Sequence, residues 1–289
     1  RISTGLCRTA IRDDAVPSNE KPFVLQRRTL KMAFWVCYDH LGKLLLVNLI
    51  CVALLLVPGY FALVSFNLDS PGMAIVFGGG FSVLTAVVLA PVFAAGIAQM
   101  SIELIETRDG SIRAFFSGMR RHSGRAVRLG LLYSAAFVCL ATSTWFYAAR
   151  FPERFAWLGY GLSAIALWCL FFLGLTLPLA GPALVHKSSG ALAAVRLSAL
   201  LVLDNPLFAL GLAFYTVCWA TLSLAPPVLM LFSLAPMVVL FCSAYEMLSR
   251  KYMAAPQSAS GDTPQRAIPD EEDDYLNRGF RDFLFPWKD

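Results

Sequence analysis

The chain has 289 residues, of which 57% are hydrophobic and 15% charged, against about 45–50% and about 25% in soluble domains; its mean hydropathy is +0.63. These values exclude a disordered chain, a disulfide scaffold and an ordinary soluble enzyme, and leave an integral membrane protein. The net charge of +5 does not point to nucleic acid, because the cations flank apolar runs as the inner loops of a membrane protein do.

In chain order, residues 1–29 read as a polar tail with no apolar core of the signal-peptide kind. A bilayer crossing takes about 20 apolar residues. Leu44–Leu68, Ser70–Ile102, Leu129–Ala149, Phe155–Val185 and Asn205–Tyr245 are free of Asp, Glu, Lys and Arg. The last is long enough for two crossings, and Pro226-Pro227 in its middle ends one helix and begins another by removing backbone donors. The expectation is an all-α, polytopic membrane helical bundle over 30–252. Its six transmembrane helices (about 44–66, 73–100, 129–149, 155–185, 205–224 and 226–247) form three hairpins, and a flexible acidic and aromatic tail occupies 253–289.

Arg27, Arg28, Lys31, Lys43, the arginines from Arg108 to Arg128, Lys187, Arg196, Arg250 and Lys251 all fall at one side of these spans, against Arg150 and Arg154 at the other. Cytoplasmic loops carry the excess of Lys and Arg, so both termini are expected in the cytoplasm.

A repeat of about eighty residues runs through the chain. Each unit opens with a short amphipathic cytoplasmic helix, then an outward and a returning span. The expected apolar faces are Leu30, Ala33, Phe34, Cys37 and Leu41; Ile112, Phe115, Phe116 and Met119; and Leu192, Val195 and Ala199. Breaks follow at His40–Lys43, His122–Arg125 and Asp204–Pro206. Basic amphipathic helices beside a span lie in the headgroup layer, which is the position expected here. Prolines recur in the returning spans (Pro91, Pro178, Pro182, Pro236), where they kink a helix. Small residues recur every fourth position in the second span, at Gly78, Ser82, Ala86, Ala90 and Ala94, and mark it as a candidate helix-packing stripe.

Membrane catalysis or coupled transport leaves ionisable groups at depth. None lies mid-span here; Glu103, Glu106, Asp204 and Glu246 sit at span ends, beside Arg108, Arg196 or Arg250. The three histidines, His40, His122 and His186, lie outside the apolar runs, so Ser82 and Ser163 have no base in reach of a nucleophile's geometry. No CxxC, HExxH, phosphate loop or dinucleotide fingerprint occurs, and Glu103-Leu104-Ile105-Glu106 is no metal motif. No catalytic residue, metal or cofactor is expected. Asn48, polar within the first span, reads as an interhelical hydrogen-bond donor.

After a Pro, Ser and Gly-rich linker, the tail carries Asp270–Asp274 and then Phe280, Phe283, Phe285 and Trp287. Four aromatics so close together call for a partner, and docking onto the basic loop Arg113–Arg128 or onto another protein satisfies both the acidic and the aromatic halves. These residues form the candidate interaction tail.

With Leu41-Gly42-Lys43-Leu44-Leu45-Leu46-Val47-Asn48-Leu49, Gly181-Pro182-Ala183-Leu184, Ala194-Val195-Arg196-Leu197-Ser198 and the Asn205-Pro206 break, the chain resembles the YesL-like bacterial integral membrane protein family (domain of unknown function 624) from about Leu30 to Lys251. The aromatic tail lies outside that pattern. The resemblance implies a location in the bacterial cytoplasmic (inner) membrane and an association with carbohydrate uptake and breakdown, with no catalytic or binding residue carried over. The expected function is therefore that of an accessory or regulatory partner of a membrane system, with the lipid bilayer and a protein such as an ABC-type sugar transporter as partners. A small permease for a neutral solute is the alternative.

Overall fold

The computed structural model describes residues 22–67, 70–108, 110–150, 155–186, 190–224, 233–254 and 274–278, and every regular element among them is helical. Helix α1 (Pro22–Asp39) starts on a proline, whose missing N–H costs nothing in a first turn. It begins inside the stretch expected as tail, because Leu25, Met32 and Val36 supply a face to bury; residues 1–21 lie outside the described residues. The chain leaves helical geometry at His40 (φ −117°, ψ 23°), then runs through α2 (Leu41–Phe66). A turn at Pro71–Met73 leads into α3 (Ala74–Thr107). Ser111 accepts a hydrogen bond from the Ala114 amide (3.3 Å) and so starts α4 (Ile112–Ala149). There follow α5 (Ala156–His186), α6 (Ala191–Asp204), a break at Asn205, α7 (Pro206–Leu224) and α8 (Leu234–Ala254).

Helices α2, α3, α4, α5 and α7 are long and apolar enough to cross a membrane, as a multi-pass membrane protein requires. The expected sixth span appears only as α8 from Leu234 on, with Glu246, Arg250 and Lys251 in its later turns. The expected hairpin at Pro226-Pro227 lies outside the described residues.

Two of the three expected breaks occur. The one at His122–Arg125 does not: α4 runs unbroken for 38 residues. A glycine inside a helix costs only about 1 kcal/mol relative to alanine, and no proline stands nearby to force a break. Each lead-in segment packs one face against other helices. The buried face of α1 is Leu25, Thr29, Met32, Ala33 and Val36, set against α7 and α8. That of the α4 lead-in is Ala114, Phe115, Gly118 and His122, with α3 as neighbour. In α6 it is Ala191, Ala194, Ser198 and Val202, facing α4 and α5. The expected residues Phe34, Leu41, Phe116 and Leu192 are exposed instead. Small residues take the seams because bilayer lipid is as apolar as leucine, so helices associate through close backbone approach.

Helices α3 and α4 approach each other closely. A Cβ on Gly130 would lie 2.6 Å from the Val87 carbonyl oxygen, and one on Gly118 would lie 2.5 Å from Gln99 Cβ. Val87 is four residues before Pro91, which has no N–H to offer that carbonyl; the widened turn Leu84–Leu89 precedes the proline. The bare Gly130 lets α4 close over this disturbed turn.

Most of the core gathers at the arginine-rich end of the helices: Met32, Val36, Leu44, Val47, Ile97, Met100, Leu104, Phe115, Leu179, Leu184 and Leu248 are all fully buried. Towards the other end Leu56, Phe77, Phe137, Trp168 and Phe214 face outward, as lipid-facing side chains do.

Candidate functional site

At the arginine-rich end, a segment from the C-terminal tail returns to the bundle. The short helix α9 (Asp274–Asn277) lies against α1. Tyr275 is 2% exposed, with the Arg108 guanidinium 5.1 Å from its ring centre and that of Arg278 at 5.6 Å. Arg278 also covers the Trp35 ring at 5.3 Å, and its Nη1 lies 2.5 Å from Asp39 Oδ2. Lys31 donates to the Leu276 carbonyl. Arg108 reaches Tyr275 from a left-handed turn that ends α3 (φ 60°), the one positive φ outside glycine among the described residues.

Magnitudes rank these contacts. Burying a large apolar side chain stabilises by about 1.5–3 kcal/mol, a cation over a ring by about 0.5–1, and a partly exposed ion pair by about 0–1. Tyr275 therefore anchors the segment, and Arg278 fixes its register. Chymotrypsin cleavage at Tyr275 and Leu276 is expected to be about tenfold faster in Arg278→Ala, and faster still in Tyr275→Phe/Arg278→Ala; cleavage at the wild-type rate in both contradicts this seat. On the same helix, burial pushes the Cys37 thiol up to about 12, so it stays protonated and unreactive at neutral pH.

A second cluster joins α3, α5 and α8 where they end. His186 Nε2 lies 3.7 Å from Glu106 Oε1 and 3.9 Å from Glu246 Oε2; the Arg250 Nε is 2.9 Å from Glu246 Oε1. Glu106, His186 and Glu246 border a shallow, largely apolar cleft with Ile102, Ile105, Pro182, Cys242 and Tyr245. The three helices are those that the sequence leads one to expect as returning spans, and Glu106, His186 and Glu246 stand one on each. A protonated His186 would bind both carboxylates and tie the three helices together. Among the described residues no group of three or more His, Cys, Asp or Glu is placed to hold a metal ion.

Nearby, Lys251 donates to Asn205 Oδ1 (2.7 Å), Asn205 Nδ2 donates to Tyr252 Oη (2.5 Å), and the Tyr252 hydroxyl donates to Asp204. These bonds fasten the end of α8 to the α6–α7 break, so Asp204 is held by Tyr252 and Asn205 rather than by the expected Arg196.

The candidate residues from the sequence fare unevenly. Phe280, Phe283, Phe285 and Trp287 lie outside the described residues, but the segment just before them seats on α1 rather than on Arg113–Arg128. Of the small-residue stripe, Gly78 is buried and Ala94 half-buried, while Ser82, Ala86 and Ala90 are exposed. The widened turns at Ala74–Gly78 and Leu84–Leu89 change the rotation per residue, so a four-residue spacing does not hold one face. Asn48 is fully buried and does bridge helices, as an acceptor: its Oδ1 takes the Ala235 amide at 3.0 Å. Sequence reasoning missed Tyr133, whose hydroxyl meets Thr176 Oγ1 at 2.9 Å between α4 and α5.

No family model, curated protein or solved structure matches this chain.

Proposed function

We propose that the protein is a six-span protein of the bacterial cytoplasmic membrane, both termini in the cytoplasm, that serves as an accessory or regulatory partner of a membrane system such as carbohydrate uptake. The observation that carries this reading is the ion pair of Arg278 with Asp39. It draws the chain beyond α8 to the side from which α2 departs, and that return requires an even number of crossings between the two residues. Helices α2, α3, α4, α5 and α7 account for five. A sixth crossing through the stretch that ends in α8 restores the parity and completes three hairpins. The Lys and Arg excess at the same end supports a cytoplasmic side.

Phe280, the first of the candidate aromatics, follows the seated Tyr275–Arg278 segment by two positions in the sequence. A tethered segment meets a neighbour at an effective concentration set by its short leash. The resemblance to the YesL-like family supports carbohydrate uptake as the system served, and makes an ABC-type sugar transporter the first partner to test. Tagged full-length protein in mild detergent is expected to co-purify the subunits of such a transporter, and deletion of Phe280–Asp289 to lose them. An unchanged yield of those subunits after deletion contradicts the role of the tail. Flux of a neutral solute through the protein alone in proteoliposomes contradicts the accessory role.

A further inference from the structure

The unbroken course of α4 fixes where its arginines stand relative to the bilayer. At about 100° per residue, Arg113, Ser117, Arg120, Arg121, Gly124 and Arg128 share an arc of about 100°, opposite the buried face of Phe115, Gly118, His122 and Ala126. The four arginines are exposed, and none of their guanidinium groups has an ion-pair partner among the described residues. Between them stand Ser117 and Gly124, and the space over Gly124 is open, with nothing within 4 Å of a Cβ built there. A phosphate resting over Gly124 would have Arg120, Arg121 and Arg128 one helical turn away on either side, within reach of charge-assisted hydrogen bonds.

Depth selects the occupant. Leu129–Ala149 is about 31 Å of helix, the thickness of a bilayer's hydrocarbon core. Arg128 therefore stands at the hydrocarbon edge, in a headgroup layer about 5–7 Å deep. Arg121 and Arg120 stand about 12–14 Å from Leu129, within a Debye length of about 8–10 Å of the headgroups at physiological salt. Arg113, about 24 Å away, is beyond it. We propose that this face of α4 binds the phosphate-bearing headgroups of anionic lipid through Arg128, Arg121 and Arg120, with Arg113 outside the site.

The test is the association of spin-labelled phosphatidylglycerol, relative to spin-labelled phosphatidylcholine, with the full-length protein in phosphatidylcholine vesicles. The preference for phosphatidylglycerol is expected to fall about fivefold or more in R120Q/R121Q/R128Q. It is expected to survive in the corresponding triple lysine variant, to stay within about twofold in Arg113→Gln, and to collapse for the wild type in about 1 M salt. A triple glutamine variant that keeps its preference overturns the proposal. So does a wild-type preference indifferent to salt, which stays measurable if the glutamine variant fails to fold. An Arg113→Gln loss equal to that of Arg128→Gln overturns it in favour of an acidic protein segment, for which depth is irrelevant. Displacement of the labelled lipid by millimolar inorganic phosphate overturns it in favour of a free-phosphate site.

Discussion

Gly130→Ala is expected to lower the stability of the protein by about 1–3 kcal/mol, and Gly130→Val to prevent it from accumulating in folded form. The new Cβ would stand 2.6 Å from the Val87 carbonyl oxygen and 2.7 Å from Pro91 Cγ. The first is backbone and the second belongs to a rigid ring, so neither can swing aside. The helices must separate instead, and α3 and α4 lose the contact on which the core at the arginine-rich end is built. Gly118→Ala meets Gln99 Cβ at 2.5 Å and the Gly96 Cα at 3.3 Å, and the same direction is expected. By contrast Gly161 and Gly174 on α5 have nothing within 4 Å of a Cβ, so alanine there is neutral or stabilises by up to about 1 kcal/mol. Thermal unfolding in detergent, followed by tryptophan fluorescence, separates the two classes; equal midpoints for Gly130→Ala and Gly174→Ala contradict close packing of α3 on α4.

Asn48→Ala is expected to cost about 2–3 kcal/mol, a large effect for one polar side chain. Helix α8 begins at Leu234, and the early amides of a helix have no partner within it. Asn48, from another helix, accepts from one of them, at Ala235 (3.0 Å), and is itself 0% exposed. Losing a cap costs about 0.5–2 kcal/mol, and leaving a buried donor unmet adds about 1–3, partly counting the same bond. Asn48→Asp keeps an acceptor but places a charge where water is excluded, so it is not expected to rescue. Hydrogen exchange at the first amides of α8 reads the effect directly: they should lose protection in Asn48→Ala while the middle of α4 keeps it. Unchanged protection at Ala235 would show that α8 is capped by other means.

The long apolar helices were legible because bilayer thickness sets a length that composition reveals without any knowledge of packing. The break at Asn205-Pro206 was legible for a local reason, the proline. The break expected at His122–Arg125 was misread because a glycine and a serine are weak breakers when a buried face continues through them. Which face is buried was also misread, at Phe34, Phe116 and Leu192 alike. An amphipathic reading assigns the largest apolar residues to the core; here Phe115 and Ala33 of the expected faces are buried, but Ala114, Gly118, Ala191 and Ala194 share the seams while Phe34, Phe116 and Leu192 turn outward. Asn48 was recognised as a bridge between helices, but its role as acceptor needed the position of α8. The seat of the tail had no sequence signal: Arg278 and Asp39 are 239 positions apart, and neither belongs to a motif. Glu106, His186 and Glu246 were each visible as span-end residues, yet only the packing of α3, α5 and α8 brings them to one cleft.

The topology itself is most directly tested by paired reporters on the full-length chain, green fluorescent protein or alkaline phosphatase fused either ahead of Arg1 or after Asp289. Six crossings joined by the Arg278–Asp39 contact predict that both fusions fluoresce and that neither phosphatase is active. A chain whose two ends report opposite sides of the membrane would contradict the account, since Arg278 could then never meet Asp39.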